Sequence, residues 1–366
     1  MNWNHFSSAA SIMSSPGSRW YAARHPGYST PTRRLALRTG QRSLFGDDSS
    51  AGTRPGAVSN PDNTPSGRRI RSESCQGEAM RDLEGKTAVV TGSASGMGFA
   101  FAECFGREGM NVVMCDIEEK ALRAAAAQLE SAGASVLPVI ADVSDEASMD
   151  HLGEASREAF GGVHVVCLNA GISPPTGPME TLTANDWRWT LGVNLWGVIH
   201  GIRVFLPTLQ DQDEGHIVVT ASVAGLTSYP WLGAYNASKH AVTTIAETLY
   251  AELLENGSKV RISCLCPGAV ATNIGDAERN RPKELRNAAA SRVEQSDLAS
   301  FSEIFEAIAA KPAAVAELVL AAVVEERFWI ETDELYRDPI RTRHRSIEAQ
   351  TEPPARGLIL APYLDR

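Results

Sequence analysis

The sequence predicts an α/β fold: one doubly wound domain built on a parallel sheet of about seven strands. Three observations carry this expectation. Short β-branched runs are apolar on both faces, as strands covered on both sides must be; helical stretches alternate with them; and no internal repeat of solenoid length competes.

Taken in order, the strands are expected at residues 86–91 (KTAVVT), 111–115 (NVVMC), 135–140 (SVLPVI), 163–168 (VHVVCL), 216–220 (HIVVT), 260–266 (VRISCLC) and 327–330 (RFWI). Stretches such as EEKALRAAAAQLESAG and SDEASMDHLGEASREAFGG are long enough to form the helices between them. Parallel strands joined through helices wind right-handedly. The domain they build is expected over residues 80–350, with a loose tail at 351–366. Beyond Tyr336 a helix is expected before that tail, with no readable role.

The chain has 34 Lys and Arg against 44 Asp and Glu, a net charge of −10, which leaves no basic surplus for phosphates. No nucleic-acid partner is expected. The longest apolar stretch, Ala313 to Val324, contains Glu317 and is too short to cross a bilayer, so no membrane partner is expected either. Six cysteines include no C-x-x-C and mostly sit in apolar runs, where a thiol acts as a small hydrophobe. That pattern predicts a reducing, cytoplasmic setting without a disulfide framework. His151, His164, His200, His216 and His240 form no ligand-spaced pair with a carboxylate cluster, so no metal site is expected.

Residues 1–79 differ in kind. Ten Arg, no Lys and five acids give them +5, against −15 for the rest. Rich in Ser, Gly, Pro and Arg, and without strand or helix periodicity, they are expected to form a disordered extension. Three origins stand open: an inert tail, an upstream start codon with Met80 as the true start, or an organelle-targeting segment. Six Arg and no acid in residues 1–46 favour the last, and the Pro and Gly content weighs against it.

The first strand runs into Thr91-Gly92-Ser93-Ala94-Ser95-Gly96-Met97-Gly98 and then the helical FAFAECFGREG. Glycines at 92, 96 and 98 allow a tight turn, close approach to a pyrophosphate and close helix–strand packing, while the helix N-terminus offers free N–H groups to the anion. Asp116 closes the second strand, 18 residues beyond Gly98. A carboxylate there accepts hydrogen bonds from an adenosine ribose and repels a 2′-phosphate. Its sequence neighbours include no Lys or Arg, so NAD is expected rather than NADP.

Further signals follow in order: Asn169-Ala170-Gly171 after the fourth strand, Asn194 in GVNLWG, Ser222 in VVTASVAG, and Tyr235-Asn236-Ala237-Ser238-Lys239. Together with the glycine loop they resemble the short-chain dehydrogenase/reductase family over about residues 84–275. The resemblance implies a Rossmann dinucleotide-binding fold and an enzyme of alcohol oxidation or ketone reduction. It also implies that Lys239 binds the nicotinamide ribose, that Asn194 holds a water in a proton relay, and that Asp142 and Val143 contact the adenine. By the same resemblance Asn169, Ala170 and Gly171 line the adenosine ribose, and Pro267, Gly268 and Thr272 fix the carboxamide face. Leu168 and Met97 depart from the usual Asn and Ile.

The residues themselves suggest the chemistry. Tyr235 and Lys239 are four apart, so on a helix they share a face. A free tyrosine holds its proton too tightly to act as a base near neutrality, and a neighbouring ammonium lowers its pKa. Tyr235 then serves as base in oxidation and acid in reduction, with Ser222 bonding the substrate oxygen. The alternative is a non-catalytic dinucleotide-binding regulatory or scaffold protein, against which the matched Ser222, Tyr235 and Lys239 weigh.

Ser173-Pro174-Pro175, Tyr229-Pro230-Trp231-Leu232 and the segment after Thr272 are candidate walls for a bulky apolar or aromatic secondary alcohol. Trp231 has two open readings, a pocket wall or a subunit contact. Residues 276–311, long and polar, are expected to form a lid that closes on substrate. Helices around 183–208 and 233–255 carry apolar residues on more than one face, which predicts a homo-oligomer. The family resemblance makes a tetramer the first expectation and a dimer the second.

Overall fold

The computed structural model describes residues 80, 82–287, 308–354 and 359; the expected disordered extension and most of the expected tail lie outside the described residues. Seven strands form: β1 (Thr87–Thr91), β2 (Asn111–Asp116), β3 (Ser135–Ile140), β4 (Val165–Leu168), β5 (His216–Thr220), β6 (Arg261–Cys266) and β7 (Trp329–Glu331). All pair in parallel, in the order β3-β2-β1-β4-β5-β6-β7. The doubly wound α/β fold expected from the sequence is therefore the fold observed. Differences lie at strand ends. β7 starts two residues later than expected, because Arg327 donates its N–H to Ala322 O and finishes the preceding helix, with Glu326 in a left-handed turn.

The helices are α1 (Gly96–Arg107), α2 (Glu119–Ser131), α3 (Glu146–Phe160), α4 (Ala184–Leu191), α5 (Gly197–Asp211), α6 (Gly233–Glu255), α7 (Pro312–Val324) and α8 (Arg337–Glu348). Successive strand residues feed opposite cores, as the two-residue strand period requires. Ala88 and Val90 pack with Phe101, Phe105, Leu122 and Val319 under α1, α2 and α7. Val89 packs with Leu152, Phe205, Leu209 and Val242 under α3, α5 and α6. Pro138 is accommodated because β3 is an edge strand, where a missing N–H costs no ladder bond.

The helical stretch expected around 183–208 is not continuous. α4 and α5 are joined by a π-helical turn, Gly192–Trp196. Such one-turn insertions widen a helix and re-aim its side chains. Asn194 sits in this turn.

Following β6 come 3₁₀ turns at Asn273–Asn280 and Lys283–Leu285, whose Ala277 and Leu285 pack with Trp189 of α4. The buried Arg281 guanidinium bonds Asp186 (2.7 Å) and Glu278 (2.6 Å) and stacks over the Trp189 ring at 4.3 Å. Burial alone would raise the Asp186 pKa; bonds from Thr183, Arg281 and Asn287 instead hold it below the usual value. The expected lid is thus pinned at its first residues, 276–287, and the stretch 288–307 lies outside the described residues. No helix among the described residues is long and apolar enough to cross a membrane.

Candidate active site

In the observed order the chain returns from the β3 edge to lay β4 beside β1, so the segments leaving these two strands turn to opposite faces and leave a crevice at their carboxyl ends. Gly92 (φ +67°) and Gly96 (φ +58°) take left-handed conformations that carry the loop from β1 into α1. A Cβ on Gly98 would lie 2.1 Å from Gly92 O, so only glycine lets the helix start so close to the strand. Ser95 precedes α1 without a side-chain cap, leaving first-turn N–H groups directed at the cleft that Gly92, Ser95, Gly96, Met97 and Gly98 line. The donor set fits a pyrophosphate. Ser93 corrects the sequence reading: its N–H and Oγ both donate to Cys115 O, so it ties the loop to β2 and lines no part of the cleft.

Asp116 is oriented by two backbone donors, Ala94 N–H to Oδ2 and Glu118 N–H to Oδ1, each at 3.0 Å. Its carboxylate lines the cleft with Asp142 and Val143 on one rim and Asn169, Ala170 and Gly171 on the other. Asp142 Oδ1 is held by Ser144 N–H and Oγ, and Val143 O by His200 Nδ1. Pro267 and Thr272 also line the cleft, whereas Gly268 does not; its N–H donates to Thr332 Oγ1. Sequence reasoning missed Glu118, Arg279 and Asn280, which meet across this end of the cleft. Arg279 Nη2 and Asn280 Nδ2 both donate to Glu118 Oε1, at 2.6 and 2.8 Å.

Tyr235 and Lys239 lie on the first turns of α6 and both line the cleft. The Lys239 ammonium is buried, 5.7 Å from the Tyr235 ring centroid, and donates to Thr220 O at 2.8 Å. Ser222 hydrogen-bonds the Tyr235 side chain. Its Oγ also accepts from Ala224 N–H and donates to Pro267 O. Asn194 accepts from Ile172 N–H (2.8 Å) and donates to Ile172 O (3.0 Å) and Ser238 Oγ (3.1 Å). Ser238 in turn donates to Tyr235 O. Both Asn194 amide protons are committed, so this side chain clamps the segment after β4 to the turn that carries Tyr235.

Burial governs the proton affinities. It pushes the Tyr235 phenol above its ordinary value, with the Ser222 bond opposing, and lowers Lys239 to about 8. The depression of Tyr235 expected from its ammonium neighbour is therefore not found. Burial of the phenol is the largest influence on it, and the Lys239 ammonium is turned to Thr220 O.

Trp231 is half exposed, has φ +63°, and lines no part of this cleft. The apolar lining of the cleft includes instead Ile172, Trp189, Val193, Ile274, Ala277 and Pro282. Arg281, stacked on Trp189, bonds Asp186, 95 residues away, so no local sequence signal marks this lining.

Comparison with known proteins settles the lineage. The family model of short chain dehydrogenases matches residues 86–283. The chain belongs to that family. Among short-chain dehydrogenases, 1-deoxy-11-beta-hydroxypentalenate dehydrogenase of Streptomyces avermitilis is 39% identical over 192 residues, covering 52% of this chain and 70% of the relative. The 3beta-hydroxysteroid dehydrogenase 1 of Eggerthella lenta is 37% identical over 209 residues, 57% of this chain and 78% of the relative. A crystal structure of a short-chain dehydrogenase/reductase from Burkholderia phymatum in complex with NAD shares 45% identity, with a TM-score of 0.72 over 76% of this chain and 99% of that one.

Gly98→Ala tests the loop. The added methyl cannot coexist with Gly92 O, so NADH affinity, followed by fluorescence titration, should fall at least about tenfold as the helix start moves. Unchanged affinity would show that the close approach does not shape the dinucleotide site.

Proposed function

We propose that this short-chain dehydrogenase is an NAD-dependent enzyme that interconverts a bulky, apolar or aromatic secondary alcohol and its ketone. The observation that carries the reading is a partly buried Tyr235 beside the buried Lys239 in a cleft whose other end is the glycine loop with Asp116. Asp116 supports NAD, since a carboxylate at the end of β2 repels a 2′-phosphate. The NAD complex of the Burkholderia structure and the hydroxypentalenate and hydroxysteroid dehydrogenase activities named for the relatives point the same way. So does the apolar wall around Trp189.

A nicotinamide dinucleotide supplies or accepts the hydride when bound. The first-turn N–H groups of α1 would hold its pyrophosphate, Asp116 its adenosine ribose, and Lys239 its other ribose. Tyr235 takes the carbinol proton in oxidation and returns it in reduction, and Ser222, bonded to it, steadies the same oxygen. Lys239 sets the electrostatics beneath the phenol and fixes the end of β5 through Thr220 O. Asn194 holds the Tyr235 turn in register through Ser238.

Trp196, Tyr250, Leu254 and Trp329 are large apolar side chains left exposed, which supports a homo-oligomer, a tetramer first and a dimer second. Sedimentation equilibrium should give a multiple of the 39.3 kDa chain mass, and a single-chain mass would overturn this. Five described cysteines are free and buried, which supports a reducing, cytoplasmic setting.

NADH formation from NAD and a panel of steroid, terpenoid, aryl and short aliphatic secondary alcohols tests the activity, with Tyr235→Phe as control. Turnover should appear with the bulky alcohols and fall by about a thousandfold or more in the variant, with NADH binding retained. A fully active variant would remove Tyr235 from the chemistry.

A pH profile tests the proton role. Oxidation needs the phenol deprotonated, and burial holds its pKa high, so kcat/KM for the alcohol should climb from about pH 6 to about 8. Above that range Lys239 loses the ammonium that favours phenolate, so the climb should flatten. Oxidation that slows over the lower range would contradict the assignment.

A further inference from the structure

Arg279 and Asn280 direct two donors at one oxygen. Glu118 Oε1 receives Arg279 Nη2 at 2.6 Å and Asn280 Nδ2 at 2.8 Å, an arrangement that a phosphate oxygen would equally satisfy. The placement of the guanidinium does not rest on Glu118 alone, because Nη1 also donates to Asp276 O (2.6 Å) and Asn273 O (3.4 Å). Glu118, Arg279 and Asn280 line the same cleft as Asp116 and Ile117. Among the described residues, the cations lining that cleft are Arg279 and Lys239, and Lys239 stands at the opposite end beside Tyr235. Arg279 is thus the positive charge available where the adenosine ribose would lie, and a carboxylate already holds it.

We propose that Arg279 and Asn280 form an anion site which Glu118 fills from within the protein, making Glu118 a second determinant, after Asp116, of NAD over NADP. The inference rests on the NAD-dependent reading above. Asp116 acts by direct repulsion of a 2′-phosphate, whereas Glu118 occupies the donors that would otherwise compensate for it. The pair is partly exposed, 33% and 30% for the two side chains, so it adds little to fold stability, and its consequence lies in the charge it cancels.

Fluorescence titration of the full chain with NADH and with NADPH tests this in wild type, Asp116→Ser, Glu118→Ala, the double variant, and the double variant carrying Arg279→Leu. Adding Glu118→Ala to Asp116→Ser should raise the NADPH-to-NADH affinity ratio by about tenfold or more, and Arg279→Leu should cancel that gain. Glu118→Gln, which keeps the shape and an acceptor oxygen but removes the charge, should move the ratio less and in the same direction. A ratio that Glu118→Ala leaves unmoved, or a gain that survives Arg279→Leu, overturns the proposal. Wild type that binds NADPH more tightly than NADH overturns this proposal and the cofactor reading together, whereas wild type that prefers NADH with an unmoved ratio overturns this proposal alone.

Discussion

The cleft depends on a line of hydrogen bonds across the carboxyl ends of three strands. Thr91 Oγ1, at the end of β1, donates to Cys167 O and accepts the N–H groups of Asn169 and Ala170 from the end of β4. Asn169 returns a bond to Thr91 O and receives one from Thr220 at the end of β5. Thr220 O in turn accepts the Lys239 ammonium. The strands are fixed here, where the segments that follow them part to opposite faces. The glycine loop, the adenosine rim and the Tyr235 helix are therefore all referred to one small set of buried polar atoms, where displacement would leave donors unsatisfied at a cost of about 1–3 kcal/mol each.

Much of this was legible in the sequence because burial on both faces leaves few alternatives. The centres of the runs, Ala88–Val90 and Ile217–Val219, are apolar at every position, and a sheet covered on both sides by helices is the fold that consumes such runs. The glycine loop was legible for a related reason. Backbone at positive φ, or within van der Waals contact of other backbone, restricts residue choice sharply, and Gly92, Gly96 and Gly98 record those restrictions.

What stayed hidden depends on partners distant in the chain. No Lys or Arg neighbours Asp116 in sequence, yet Arg279 reaches Glu118 from 161 residues away and alters the charge beside that acid. The cleft is lined by Trp189, under the guanidinium of Arg281, 92 residues on, and not by Trp231, the aromatic four residues before Tyr235. The π turn holding Asn194 leaves no compositional mark either. It is fixed by Asn194 bonding Ile172 on one side and Ser238 on the other, contacts 22 and 44 residues away.

Burial also reverses a local expectation about the acid/base pair. Proximity of Lys239 to Tyr235 suggests an ion pair, phenolate with ammonium. Desolvation favours the neutral forms of both groups, and it raises the one pKa and lowers the other accordingly. With a pKa of about 8, Lys239 keeps its proton in roughly nine molecules of ten at pH 7, so the ammonium persists while the phenol stays protonated. A protonated Tyr235 is the form that donates to a ketone oxygen. Forming the phenolate works against that burial, so oxidation is the direction that rising pH assists.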